Sequence, residues 1–335
     1  MDSVIHAEIG IENPQIFDKI DKLLQGKPLD LIIGGPPCQA YSVVGRASLK
    51  HRKNDERTQL YIQYGRFLNR YKPKAFIFEN VPGILTSNDG VYFKNLQSYY
   101  KRLGYHVTAR TLNSSSHGVI QNRKRVIIFG FLKSLNWEAD FPEVKSETLN
   151  YNRDDIFSDL PKIGNDESSR VQHYTSPPSQ YLIDSKIRDS DEFITQHVTR
   201  PHNSRDLAIY KLAIQMFKQG KRMKHNDVPE HMRTQKNTSS FLDRFKVVGE
   251  LPHTVIAHIA KDGHHFIHPD LNQLRSISVR EAARIQSFPD DFYFEGVNEL
   301  AYRSAAFKQI GNAVPPLLSK RLAAKVWELF QCQTS

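Results

Sequence analysis

The sequence predicts an α/β protein built on a doubly wound parallel sheet. Three observations predict it. LDLIIGGPPCQ (Leu29–Gln39), KAFIFENVPG (Lys74–Gly83) and QNRKRVIIFGFL (Gln121–Leu132) are short apolar runs of the kind that form strands buried on both faces. Segments with helical spacing separate them. Each run also adjoins a cluster of polar or turn residues, the form expected where such a sheet presents the ligand-binding rim at its strand ends.

The elements follow in order. The first run closes on two glycines and two prolines, a tight turn that limits Cys38 to one presentation. From about Thr58 to Tyr71, Leu60, Ile62, Tyr64, Phe67 and Leu68 fall at mostly helical spacing, and the helix stops before Lys72-Pro73. The second run ends on Glu79, which places Glu79 and Cys38 on the same rim. Val91 to Leu103 reads as the next helix, closed by Gly104. In the third run Arg123 and Arg125 flank Lys124, so both arginines point to one face of a strand. From about Asn136 to Phe241 the pattern weakens into turn-rich acidic stretches, which predicts a separate, less regular domain. Beyond it, Ser278 and Glu281 form a capping box opening a helix that places Ala282, Ile285 and Phe288 along it and ends before Pro289. A last helix runs from about Pro316 to Phe330.

The 335 residues allow about two domains and a real core. Two cysteines, Cys38 and Cys332, cannot build a disulfide framework or a four-cysteine zinc site, which points to a reducing compartment. The opening MDSVIHAEIG lacks the basic and apolar regions of a secretory leader, and no apolar run is long enough to cross a bilayer. Forty-six Lys and Arg against 36 Asp and Glu give a formal charge of +10, suited to a polyanionic partner. The excess concentrates at Arg200 to Lys236, with nine basic residues against three acids. That segment reads equally as a solvated helix face or a phosphate-contacting surface. His253, His258, His264, His265 and His268 fit no zinc spacing, so no metal is expected.

Cys38 is a candidate nucleophile; the alternative is a small buried hydrophobe. Glu79, at a strand end, is either an ion-pair or capping partner or an acid whose proton is used. Two neighbouring guanidiniums, on Arg123 and Arg125, call for carboxylates or an acceptor-rich ligand.

Five blocks resemble the ordered motifs of the C5-cytosine DNA methyltransferases: GGPPCQAYS (34–42), ENV (79–81), QNRKR (121–125), VREAARIQSFPDDF (279–292) and QIGNAVPP (309–316). The resemblance implies a Rossmann-like methyltransferase sheet with a second, smaller target-recognition domain. Residues 1–135 would be the catalytic domain, 136–245 the target-recognition domain, and 246–335 the return that completes the first. It implies that the Cys38 thiolate adds to C6 of a flipped cytosine, with Glu79 at N3 and Arg125 and Arg123 toward O2. C5 then takes the methyl group of S-adenosylmethionine. Pro37 and Asn312 would lie beside that cofactor, and Glu8 and Ile9 would flank its adenine. Gln39, Ser42 and Arg46 would face the DNA. Double-stranded DNA is the implied partner and restriction–modification the implied setting, in a cytoplasmic, nucleoid-associated bacterial enzyme.

One family motif is missing: no G-x-G occurs, and only 37 residues precede Cys38. The expectation is a sheet truncated at its N-terminal side. A wrongly started frame, a complementary polypeptide supplying the front segment, or a decayed gene product would each account for it. Rival readings are a DNA-binding module without catalysis and an RNA C5-cytosine methyltransferase; the latter lacks the further cysteine motif that branch carries.

Overall fold

A computed structural model of the chain describes residues 15–37, 60–137, 140–166, 169, 171–189, 192–234, 244–295 and 302–332. The chain divides into two compact units. The first holds Met1–Leu112, Lys124–Glu143 and Lys325–Ser335; the second holds Asn113–Arg123 and Val144–Ala324.

The first unit is organised by a four-stranded sheet, with β1 (Leu31–Gly34), β2 (Ala75–Asn80), β3 (Tyr105–Asn113) and β4 (Lys124–Leu132) in the spatial order β1-β2-β4-β3. Helix α1 (Gln15–Leu24) precedes β1, α2 (Leu60–Tyr71) precedes β2, and α3 (Val91–Arg102) leads to β3. β1 and β2 are parallel, from Leu31 opposite Ala75 to Gly34 opposite Phe78. β4 runs antiparallel to β2, from Ala75 opposite Phe131 to Asn80 opposite Val126. The sheet is therefore mixed, which corrects the parallel sheet expected from sequence. The strand that follows α3 is β3, and the third apolar run enters between β2 and β3 in the opposite sense. β3 escaped notice because its second half, Ala109–Asn113, has no buried side chain and so carries no apolar run. β4 is buried from Arg125 to Phe131, as a central strand is in either direction.

The core of this unit is aromatic. The Tyr64 hydroxyl on α2 lies 3.1 Å from the carbonyl oxygen of Ile32 and 3.0 Å from that of Ile77, so one side chain spans both parallel strands. Its ring meets Phe78 edge-on at 5.2 Å. Gly130 is required where the ring of Phe76 crosses β4, because a Cβ there would stand 2.1 Å from that ring.

The second unit includes the hairpin-like pair β5 (Val171–His173) and β6 (Phe193–Thr195) and helices α4 (Ser204–Lys218), α5 (Val279–Ile285) and α6 (Tyr302–Asn312). Helix α7 (Pro316–Gln331) begins here. Its apolar core joins Ile156, Tyr181 and Ile194 to Phe266, Ala282 and Ile310, so the boundary expected near residue 245 falls inside one unit. The expected capping box is present: Glu281 N–H donates to Ser278 Oγ at 3.0 Å, and Ser278 N–H donates to Glu281 Oε2 at 2.7 Å. α5 stops at Ile285, short of Phe288, because Ser287 takes a left-handed φ of 59°.

Every residue of α5 is buried, its arginines included. Arg284 donates to both carboxylates of Asp159 and Asp290 and, at 2.8 Å, to the Ile156 carbonyl. Arg188 joins Asp159 at 2.7 Å, and the Tyr174 hydroxyl donates to Asp290 Oδ2 at 2.8 Å. Desolvation alone would favour a neutral Arg284, but the two carboxylates more than offset it and raise its pKa. Such a network is costly to break from one side, since the partner charges stay buried.

Replacing Arg284 by leucine is expected to lower unfolding free energy by about 3–5 kcal/mol, read as an earlier urea midpoint; an unshifted midpoint would show the network contributes little. A pH dependence follows from buried histidines. His197 accepts from the Ser278 hydroxyl at Nδ1 and donates from Nε2 to the Pro161 carbonyl, a neutral imidazole. Burial lowers its pKa from 6.5 to about 4, and lowers those of His265 and His268 to about 4 as well. As pH falls below 6.5 the unfolded chain binds protons that the folded chain refuses, so stability drops between pH 6.5 and about 4. Thermal melts stepped through that window should show the midpoint falling, and a flat profile would refute this account.

Candidate active site

Glu79 and Arg125 meet because of strand register. Glu79 stands opposite Ile127, so Arg125, two residues earlier on β4, is its diagonal neighbour on the same face. Arg125 Nε donates to Glu79 Oε1 at 2.8 Å, and Arg125 Nη1 donates to the Lys124 carbonyl at 2.8 Å. The side chains are 10% and 17% exposed, so the pair is largely shielded from water yet reachable from it. A shielded carboxylate clamped by a guanidinium keeps a fixed orientation.

The loop after β1 is drawn against the same strand end. A Cβ on Gly35 would stand 3.0 Å from Glu79 Oε2, and one on Gly34 would strike the Tyr64 ring at 2.7 Å. Close approach thus calls for glycine at 34, while a side chain at 35 would press on the end of Glu79. Asn80 completes the attachment. Buried on the opposite face of β2 from Glu79, it donates from Nδ2 to the Pro36 carbonyl at 3.1 Å and accepts from Val81 N–H at 2.9 Å. Two residues before Cys38, then, the chain is stapled to the end of β2 beside Glu79. Sequence reading assigned no role to Asn80; an amide at a strand end next to a Gly-Pro loop was the available signal.

Of the other expected site residues, Cys38, Gln39, Ser42, Arg46, Glu8 and Ile9 lie outside the described residues. Pro37 is exposed at the end of the stapled loop. Asn312, the last residue of α6 in the second unit, is also exposed.

Arg123 requires a correction. It was expected beside Arg125 on one strand face, but β4 begins at Lys124 and Arg123 precedes it. Its guanidinium is fully buried in the second unit and donates to the carbonyls of Val255 at 2.6 Å, Gly311 at 3.1 Å and Ala313 at 2.8 Å. The neighbouring Gln121 is likewise buried, donating to the Ile285 carbonyl and the Gln286 side chain. Arg123 thus braces the GNAVPP segment that carries Asn312, and the two arginines serve different partners.

The family model for C-5 cytosine-specific DNA methylase matches residues 6–328. The type II methyltransferase M.Bpa9945I of Bacillus paralicheniformis is 43% identical over 318 residues, covering 89% of this chain and 70% of that protein. M.DdeI of Desulfomicrobium norvegicum, also a type II methyltransferase, is 32% identical over 96% of this chain and 78% of its own length. Among solved structures, a prophage-encoded protein of E. coli described as a DNA modification methyltransferase superposes with a TM-score of 0.67 at 21% identity, over 98% of this chain and 86% of that one. That likeness shows a shared fold.

Removing the staple should be measurable without any activity assay. Asn80→Ala leaves the Pro36 carbonyl and Val81 N–H without this partner, and is expected to cost about 1–3 kcal/mol in urea unfolding. Asn80→Asp keeps the acceptor for Val81 N–H but loses the donor; a variant as stable as the original would remove the staple's importance.

Proposed function

The chain belongs to the C-5 cytosine-specific DNA methylase family, and from that premise we propose that it methylates C5 of a flipped cytosine in duplex DNA through a Cys38 adduct. The observation that carries this reading to the residue level is the Glu79–Arg125 pair, set beside the stapled loop that leads to Cys38. Cytosine C5 is a weak nucleophile. A Cys38 thiolate forming a bond to C6 pushes the C5–C6 electron pair into the ring and makes C5 enamine-like. Glu79 holds the N3 edge, Arg125 fixes the carboxylate, and the guanidinium offsets charge developing on the O2 side. S-adenosylmethionine, the family's methyl donor, supplies an electrophilic methyl group. Loss of the C5 proton then returns the electron pair to the ring and expels the Cys38 thiolate.

Pro37, Asn312, Glu8 and Ile9 would hold the cofactor, and Gln39, Ser42 and Arg46 would contact the DNA around the extruded base. Extrusion costs a few kcal/mol of stacking and pairing. Arg123 acts in this reading through the segment it braces. The relatives' type II designation supports a restriction–modification role, and a duplex-DNA substrate would put that role in a bacterial cytoplasm, on the nucleoid. Among the described residues no helix is long and apolar enough to cross a membrane.

A second reading adds a complementary polypeptide that supplies the glycine-rich cofactor turn. It is favoured by Ile33, which is 67% exposed on β1, the outer strand of the described sheet. An additional segment would cover it.

The test is transfer of labelled methyl from S-adenosylmethionine to unmethylated duplex DNA by the purified chain. Incorporation is expected, abolished in Cys38→Ser and reduced by at least about 100-fold in Glu79→Gln, in line with loss of a positioned acid–base group. Incorporation that survives Cys38→Ser would overturn the mechanism. Incorporation appearing only after a front segment with the glycine turn is added would favour the second reading.

A further inference from the structure

The second unit carries a small basic cavity, of about 70 Å³, that the reaction described above does not use. Three arginines line it. Arg205 comes from the first turn of α4, Arg233 follows the turn Glu230–Met232, and Arg244 stands where the described chain resumes. Arg233 is held by its own backbone surroundings, with Nε donating to the Val228 carbonyl at 2.7 Å and Nη2 to the Asn226 carbonyl at 2.9 Å. Arg244 lies 3.5 Å from Asp262, and Arg205 only loosely faces Asp206, at 3.7 Å. Asp206 itself lines the cavity and also accepts from the Asn203 amide at 3.0 Å, while Asp262, the partner of Arg244, also accepts from His264 N–H at 3.2 Å.

Guanidiniums gathered around a cavity of this volume repel one another, a repulsion that an anion seated among them relieves. Three guanidiniums outnumber the one carboxylate in the lining, which favours an anion over a cation. The surrounding surface has the same sign. Lys211, Lys218, Lys221 and Lys224 are exposed and form no ion pair among the described residues. Arginines converging on one small cavity, with lysines spread along the adjoining segment, match a phosphodiester backbone, in which one phosphate is seated and its neighbours are met by mobile charges.

We propose that Arg205, Arg233 and Arg244 clamp one backbone phosphate of the duplex substrate and so set the register of the DNA on the second unit. The proposal rests on the family reading above. The three are positioning residues: a seated phosphate fixes the duplex without reporting its sequence.

The experiment measures affinity for a mixed-sequence duplex against salt, from about 50 to 200 mM, together with KM for DNA and kcat. Arg205→Gln is the principal variant, because its side chain is exposed and its single ion pair is loose. The log–log salt slope is expected to shrink by up to about 0.9, one phosphate's full share. KM should rise several-fold with kcat unchanged, and Arg205→Lys should restore the slope. Lys211→Gln controls for bulk charge. An unchanged slope in Arg205→Gln, or an equal loss in Lys211→Gln, would overturn the clamp. Titration with inorganic phosphate separates the two sources of the anion: binding that depends on Arg205, with DNA affinity indifferent to it, would assign free phosphate and overturn the backbone assignment. Wild-type protein that neither binds nor methylates duplex would instead strike the family reading itself, and the clamp with it.

Discussion

Asn80 stands opposite Val126 in the β2–β4 ladder, and the candidate active site depends on that register. With a side-chain period of two, Glu79 and Arg125 share a face only in registers of this parity; a slip by one residue would send Arg125 to the Asn80 side. The same ladder turns Asn80 toward the loop after β1, so one strand end serves two purposes on its two faces. One face holds an ion pair, the other a peptide staple. Tyr64 in turn ties β1 to β2 by meeting a carbonyl of each of these parallel strands. Rigid strands rather than loops thus hold the described acidic and basic groups, the arrangement that keeps reacting partners within fractions of an ångström.

The second unit is held by a different means. Its helix α5 is short and completely buried, and arginine rather than leucine supplies much of its volume. Arg275 pairs with Glu281 at 2.7 Å, Arg280 donates to the carbonyls of Thr195 and Pro289, and Arg284 reaches Asp159 and Asp290. These side chains gather carbonyls and carboxylates from segments with little regular structure of their own. Hydrocarbon side chains would fill the same space without specifying which loop lies where; paired charges penalise every arrangement but one. A loop-rich unit intended to present a defined surface gains from that selectivity.

Much of the first unit was legible in sequence. Apolar runs marked three of the four strands, and helical spacing placed α2 and α3 within a few residues. The glycine–proline turn and Glu79 were legible as neighbours because strands of like direction end on one rim. Strand direction was not legible, since burial on both faces looks the same either way. β3 was hidden because its outer half faces water. Arg123 misled for a related reason. Alternation in QNRKR has the period of a strand, but the strand starts one residue later, and an arginine buried among carbonyls has no sequence signature separate from one facing a ligand. Asn80 and the convergence of Arg205, Arg233 and Arg244 come from contacts between segments, which spacing along a chain does not report.

The wiring of the second unit also sets an order of events during synthesis. Asp159 is made 125 residues before Arg284, and Arg123 precedes the Gly311 and Ala313 carbonyls by 188 and 190 residues. At about 5–20 residues per second the ribosome leaves Asp159 without Arg284 for about 6–25 s. Among the described residues, the main apolar core and the Arg284 ion network both draw on the last hundred residues. A polypeptide released early therefore carries a finished β1–β4 sheet beside an uncompleted neighbour with solvated arginines and carboxylates, an open target for proteases. Full-length synthesis is thus the condition for closing the second unit's ion network.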